Sequence, residues 1–201
     1  MRTEYKAPEK YAAILRELAE EIYAVSKKRP EHFCKVMNEN RGALAQFTAF
    51  GMPADGLQPR NPIIVALGDS VTAGHFEPLG KMEDFFEKFE SGRLKEEDAI
   101  EVTDARECYL EKLRGMLIDE YEQTSVSTIN SGIAGDTIIG MRDRLYRDVI
   151  QHHPDLVLSI ASLNWSQECG DTAKYEEVLL DVVKTIKKEL DTEIILMTPN
   201  I

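Results

Sequence analysis

Residues 63–70 read Ile63-Ile64-Val65-Ala66-Leu67-Gly68-Asp69-Ser70. Five apolar residues without a polar interruption read as a strand buried on both faces, and glycine, acid and serine then turn the chain. The same grammar recurs downstream. Val126–Ile129 is a short β-branched strand, Leu156–Ile160 follows Pro154-Asp155, and Ile194–Met197 lies near the end. Amphipathic helices fill the gaps. Asp104-Ala105-Arg106-Glu107 reads as a capping box for a helix that turns Leu110, Leu113, Leu117 and Tyr121 inward. Asp136-Thr137 starts a helix carrying Ile138, Met141, Leu145 and Val149; Asp171-Thr172 caps one carrying Tyr175, Val178, Leu179, Val182, Val183, Ile186 and Leu190. Strands alternating with helices, three of the strands almost wholly apolar, specify an α/β domain with a parallel sheet covered on both faces. Right-handed crossovers place strand one between strands two and three.

Upstream of Asn61 the pattern changes. Apolar residues at Tyr11, Ile14, Leu15, Leu18, Ile22 and Val25 mark a helix that begins at Pro8-Glu9 and ends before Lys27-Lys28-Arg29-Pro30. A second helix is expected over Glu31–Asn40, and residues 51–62 read as loop. The chain therefore divides into a helical extension, residues 1–60, and an α/β domain, residues 61–201.

Composition narrows the function classes. The 201 residues are 43% hydrophobic and 30% charged, enough for one globular domain with extra helix. No apolar run approaches the ~20 residues that span a bilayer, and no signal peptide is visible, so a cytoplasmic chain is expected. The net charge of −12 argues against nucleic acid and anionic membranes as partners. Residues 76–122 hold fifteen acids against seven bases, which reads as a solvated acidic insertion. Cys34, Cys108 and Cys169 are too scattered for a disulfide framework or a zinc site and read as packing residues.

In a parallel sheet the ligand crevice lies beyond the carboxyl ends of the strands. Three loops meet there: Gly68-Asp69-Ser70, then Asn130-Ser131-Gly132-Ile133-Ala134-Gly135-Asp136, then Ala161-Ser162-Leu163-Asn164-Trp165. Gly135, just before a helix, presents a bare backbone N–H at the positive end of that helix. Asn164 adds a side-chain amide. A serine hydroxyl, a backbone N–H and an amide donor are the parts of an oxyanion hole for acyl transfer.

These blocks, in this order and after these strands, resemble the SGNH/GDSL hydrolase family over residues 61–200. The resemblance implies a flavodoxin-like three-layer α/β/α sandwich and ester hydrolysis without metal or cofactor. It implies Ser70 as nucleophile, with its own N–H, the Gly135 N–H and the Asn164 side chain forming the oxyanion hole. The substrates it implies are small-molecule, carbohydrate or lipid esters. Two departures stand out. The family's third block, Gly-x-Asn-Asp, is Ser162-Leu163-Asn164-Trp165 here; Trp165 either lines an acyl pocket or covers the core edge. The family's base histidine sits in a late Asp-x-x-His block, which residues 1–201 do not contain.

The histidines present are His32, His75, His152 and His153. His152 and His153 precede Pro154 at the opposite end of the sheet, and His32 lies in the helical extension. His75 is on the correct rim, but it leaves the nucleophile turn without a carboxylate to aim it. The expectation is a fragment of a longer esterase whose base lies beyond residue 201, with the exposed edge of strand four open to pairing with a second copy. The competing reading is an inactive SGNH-like binding module that holds a ligand or partner through the acidic insertion and Trp165.

Overall fold

The computed structural model describes residues 9–27, 31–40, 61–76, 82–93, 95, 102–121, 125–161, 164 and 171–198. Strand β1 (Ile63–Gly68) is the centre of a parallel four-stranded sheet with β4 (Ser127–Gly132), β5 (Leu156–Ile160) and β6 (Glu193–Met197), in the order β4-β1-β5-β6. Ile63 faces Ser127 and Gly68 faces Gly132 on one side of β1, and Ile64 faces Leu156 on the other. The expected strands and their order are therefore present. A small antiparallel pair, β2 (His75–Phe76) with β3 (Val102–Thr103), forms a second sheet.

Alternation along β1 and β5 sends successive side chains to opposite faces. Ile64, Ala66, Leu156, Leu158 and Ile160 pack under α1 (Glu9–Ser26), α2 (Glu31–Asn40) and α5 (Tyr109–Glu120). Val65, Leu67 and Val157 pack under α6 (Ile138–Asp143), α7 (Leu145–Asp148) and α8 (Thr172–Glu189). The result is a three-layer α/β/α sandwich. Each fully buried aliphatic side chain here contributes roughly 1.5–3 kcal/mol. A further helix, α4 (Met82–Glu90), lies in the acidic segment, and a one-turn helix, α3 (Ser70–Ala73), follows β1.

Helices α1 and α2 share the core of the α/β domain, with Leu15, Ala19, Ile22, Phe33 and Met37 all buried in the same cluster as β1 and β5. The first orphan amides of α2 are partly answered from the sheet, since Phe33 N donates to Glu193 Oε2 at 2.8 Å.

Three helix readings need correction. In α1 the buried stripe is Leu15, Ala19, Ile22 and Ser26, while Ile14 and Val25 are 48% and 41% exposed. Ser26 tolerates burial because its hydroxyl donates to Tyr23 O at 2.8 Å. Asp104 caps a 3-10 turn, Ala105–Glu107, by accepting from Arg106 N, and α5 starts only at Tyr109. The helix expected from Thr137 to Val149 is two helices. Arg144 leaves helical geometry (φ −100°, ψ 7°) between α6 and α7, because its side chain is drawn into the end of the sheet.

Candidate active site

The nucleophile turn is built on glycine. A Cβ at Gly68 would lie 1.9 Å from Thr72 Oγ1, and one at Gly132 would lie 2.2 Å from Ala73 N. Helix α3 thus sits directly on the ends of β1 and β4, at a distance that only glycine allows. Asp69 accepts from Val71 N at 3.0 Å through Oδ1 and so caps α3, and Gly74, left-handed at φ 83°, ends it. Ser70 is the first residue of α3 and is half-buried.

Asn130 pins α3 from the neighbouring strand. Its Nδ2 donates to Thr72 O at 2.7 Å while its Oδ1 accepts from Gly132 N at 3.0 Å. Beneath, Thr72 Oγ1 and the buried Tyr109 hydroxyl lie 3.0 Å apart.

The second loop folds back onto the first, with Ile133 N donating to Gly68 O at 3.1 Å. Gly135 is left-handed (φ 75°) and exposed, and no described residue lies within 4 Å of where a Cβ would stand. Asp136 follows, its Oδ1 accepting from Thr137 N at 2.9 Å. The third loop joins at Asn164, whose Nδ2 donates to Asp136 O at 3.1 Å. The structure thus ties the Ser70 turn to the Gly135 loop, and the Gly135 loop to Asn164. Trp165, with Ser162, Leu163 and Cys169, lies outside the described residues.

Burial dominates the electrostatics of Asp69. It has no solvent exposure, and desolvation raises its pKa against the Val71 amide that lowers it; the nearby Asp136 charge raises it further. No described residue bonds its Oδ2. At the other end of the network Asp148 is held below the ordinary carboxylate range, first by Arg147 and, against its burial, by Arg144.

The histidines are placed as the sequence suggests. His152 and His153 close a 3-10 turn ahead of β5, and His32 Nε2 lies 3.4 Å from Asp155 Oδ1, all at the amino end of the sheet. His75 is on β2, with Nε2 3.3 Å from Thr103 Oγ1. Among the described residues no group of three His, Cys, Asp or Glu could hold a metal ion, and no helix is long and apolar enough to cross a membrane. Sequence reasoning missed Asp69, Asn130 and Arg144. The polar residues of an otherwise apolar rim were the available signal.

No family model matches the chain. An acetylxylan esterase from Geobacillus stearothermophilus is 31% identical over 100 residues, a match covering 45% of this chain and 46% of that esterase. The matched region thus spans just under half the length of this relative. Among solved structures, a variant of an acetyl xylan esterase from Geobacillus stearothermophilus aligns over 69% of this chain and 60% of its own, with 26% identity and a TM-score of 0.46. A lipase/acylhydrolase from Enterococcus faecalis aligns over 69% and 58%, with 24% identity and a TM-score of 0.46. The chain resembles the SGNH/GDSL-type hydrolases in its sequence blocks and in its α/β fold, and it has an esterase as a relative.

Proposed function

We propose that this relative of the SGNH/GDSL-type hydrolases carries the nucleophile and oxyanion hole of a serine esterase acting on acetyl or other acyl esters. The observation that carries the reading is the hydrogen-bonded chain from Gly68 through Ile133 to Asp136 and Asn164. It draws a serine, a left-handed glycine before a helix and an amide donor onto one rim. Ser70 Oγ attacks the acyl carbon, and its proton passes to a base. Ser70 N, Gly135 N and Asn164 Nδ2 hold the oxyanion, each such donor being worth about 10²–10³ in rate. Collapse of the tetrahedral adduct expels the alcohol, which takes the proton, and water then hydrolyses the acyl-serine. No cofactor enters these steps.

The base is a histidine outside residues 1–201, a reading supported by the placement of the four histidines present. The acetylxylan esterase relative supports an acetylated carbohydrate as the substrate class. The same histidine placement favours, as a second reading, a catalytically inactive binding module.

Hydrolysis of 4-nitrophenyl acetate separates them. A chain holding only nucleophile and hole retains a residual ~10³–10⁴-fold acceleration over water. That residual rate comes from the hole and binding, so Asn164→Ala lowers it, while Ser70→Ala and His75→Ala leave it nearly unchanged. Hydrolysis equal in wild type and Asn164→Ala favours the binding module. Abolition by His75→Ala makes His75 the base.

A further inference from the structure

The guanidinium of Arg144 touches both loops of the rim at once and also the helix leaving them. Nη2 donates to Gly68 O at 3.0 Å, on the residue before the nucleophile turn. Nη1 donates to Ser131 O at 2.8 Å, at the end of β4, and to Asp148 Oδ2 at 2.6 Å. Nε donates to Asp136 Oδ2 at 2.7 Å, on the residue after Gly135. Arg144 is only 9% exposed, so this charge is held by its partners rather than by water.

We infer that Arg144 is a positioning residue that holds the Gly135 amide and the Ser70 turn in one frame, through a fork that spans Gly68, Ser131 and Asp136. The inference rests on the esterase reading and deepens it. Gly135 is exposed and left-handed, and no described residue packs within 4 Å of its Cβ direction. Its direction is set instead by its neighbours. Ile133 N is bonded to Gly68 O, Asp136 N to Ile133 O at 3.1 Å, and the Asp136 carboxylate to Arg144. Asp136 O in turn receives Asn164, so the third donor hangs from the same residue. A lysine at 144 keeps the charge, but its single ammonium cannot reach acceptors that diverge from a planar fork. The three donors would then be free to drift, and donors that drift by an ångström stabilise an oxyanion poorly.

Two kinds of measurement on the full chain test this with Arg144→Lys, using Arg142→Lys, two residues earlier in α6, as control. Amide hydrogen exchange should accelerate at least ~10-fold in residues 131–137, while α8 stays protected. Hydrolysis of 4-nitrophenyl acetate should fall ~10²-fold in kcat at nearly constant KM. Hydrolysis of the thiono analogue, whose sulfur binds the hole weakly, should fall much less. Arg142→Lys should change none of these.

Unchanged exchange at 131–137 overturns the inference. So does exchange that rises equally in α8, or oxygen- and thiono-ester rates that fall by the same factor. A wild-type rate insensitive to Asn164→Ala instead sinks the esterase reading, and the exchange data alone then decide whether Arg144 frames the rim.

Discussion

Each end of the sheet carries an aspartate with no exposure to solvent, and the two are treated differently. At the amino end Asp155 Oδ2 accepts from Ile63 N at 2.9 Å and Oδ1 meets His32 at 3.4 Å. Its backbone N donates to Ile63 O at 2.8 Å, and its carbonyl accepts from Glu193 N at 3.3 Å. One residue thus stitches the starts of β1, β5 and β6. At the carboxyl end Asp69 uses one oxygen to cap α3 and leaves the other without a partner among the described residues. Buried polar groups are normally satisfied, and an exception marks a place where something other than stability has been served. The amino end is a closed seam. The carboxyl end is where glycines, an exposed left-handed loop and a costly acid accumulate.

The largest expected effect is at the carboxyl end. Gly132→Ala places a methyl group 2.2 Å from backbone that cannot rotate away, so α3 must shift. We expect a loss of about 3 kcal/mol in urea unfolding, together with loss of 4-nitrophenyl acetate hydrolysis. A loss below about 1 kcal/mol would show that α3 does not need its seat on β4.

Asp155→Ala should cost about 2 kcal/mol, because it strands the buried Ile63 N–H. Asp155→Asn keeps an acceptor and should recover much of that. Equal losses would show that the carboxylate charge, not the seam, is what matters.

A smaller effect is carried by pH. Burial raises the Asp69 pKa, so the folded chain holds that proton more tightly than the unfolded one. The contribution of Asp69 to stability is full below its ordinary value of 3.8 and is lost as pH rises through the folded value. Urea midpoints measured from pH 4.5 to 7.5 should therefore drift in favour of Asp69→Asn over wild type as pH rises. A constant gap would mean that the acid is satisfied by a partner.

The smallest effect belongs to neither end. Gly115, inside α5, has no described residue within 4 Å of its Cβ direction, and Gly115→Ala should stabilise by about 0.5–1 kcal/mol. A destabilising result would place an unseen neighbour over that face.

The legible parts of this molecule are those written in local pattern. The apolar runs at 63–67 and 156–160 and the Asp171 cap each appear where the sequence puts them, α2 runs over the expected Glu31–Asn40, and the strand expected at 126–129 runs on to Gly132, into residues read as loop. What pattern misses is whatever depends on distant charge. The periodicity of Ile138, Met141, Leu145 and Val149 is intact, and all four are buried, yet Arg144 breaks the helix between them because its acceptors lie on β1 and β4. Likewise α1 reads as a wide apolar stripe, but the face it uses is set by α5 and the sheet, which leaves Ile14 and Val25 outside. At the rim, Ser70, Gly135 and Asn164 were legible as residue types after strands. Asn130 and Asp69 were not, since a hydrogen bond between Asn130 and Thr72 has no periodic signature.

The central place of β1 also sets a timetable. Ile64 takes Thr128 on one side and Leu156 on the other, and both are synthesised long after it. A strand made early and paired late must wait through the closure of two long loops, the slow kind of assembly. During that wait its apolar run is covered by no sheet partner, and in that interval the chain is open to sticking to its neighbours. The residue order that gives β1 a strand on either side in the finished fold leaves it with neither on the way there.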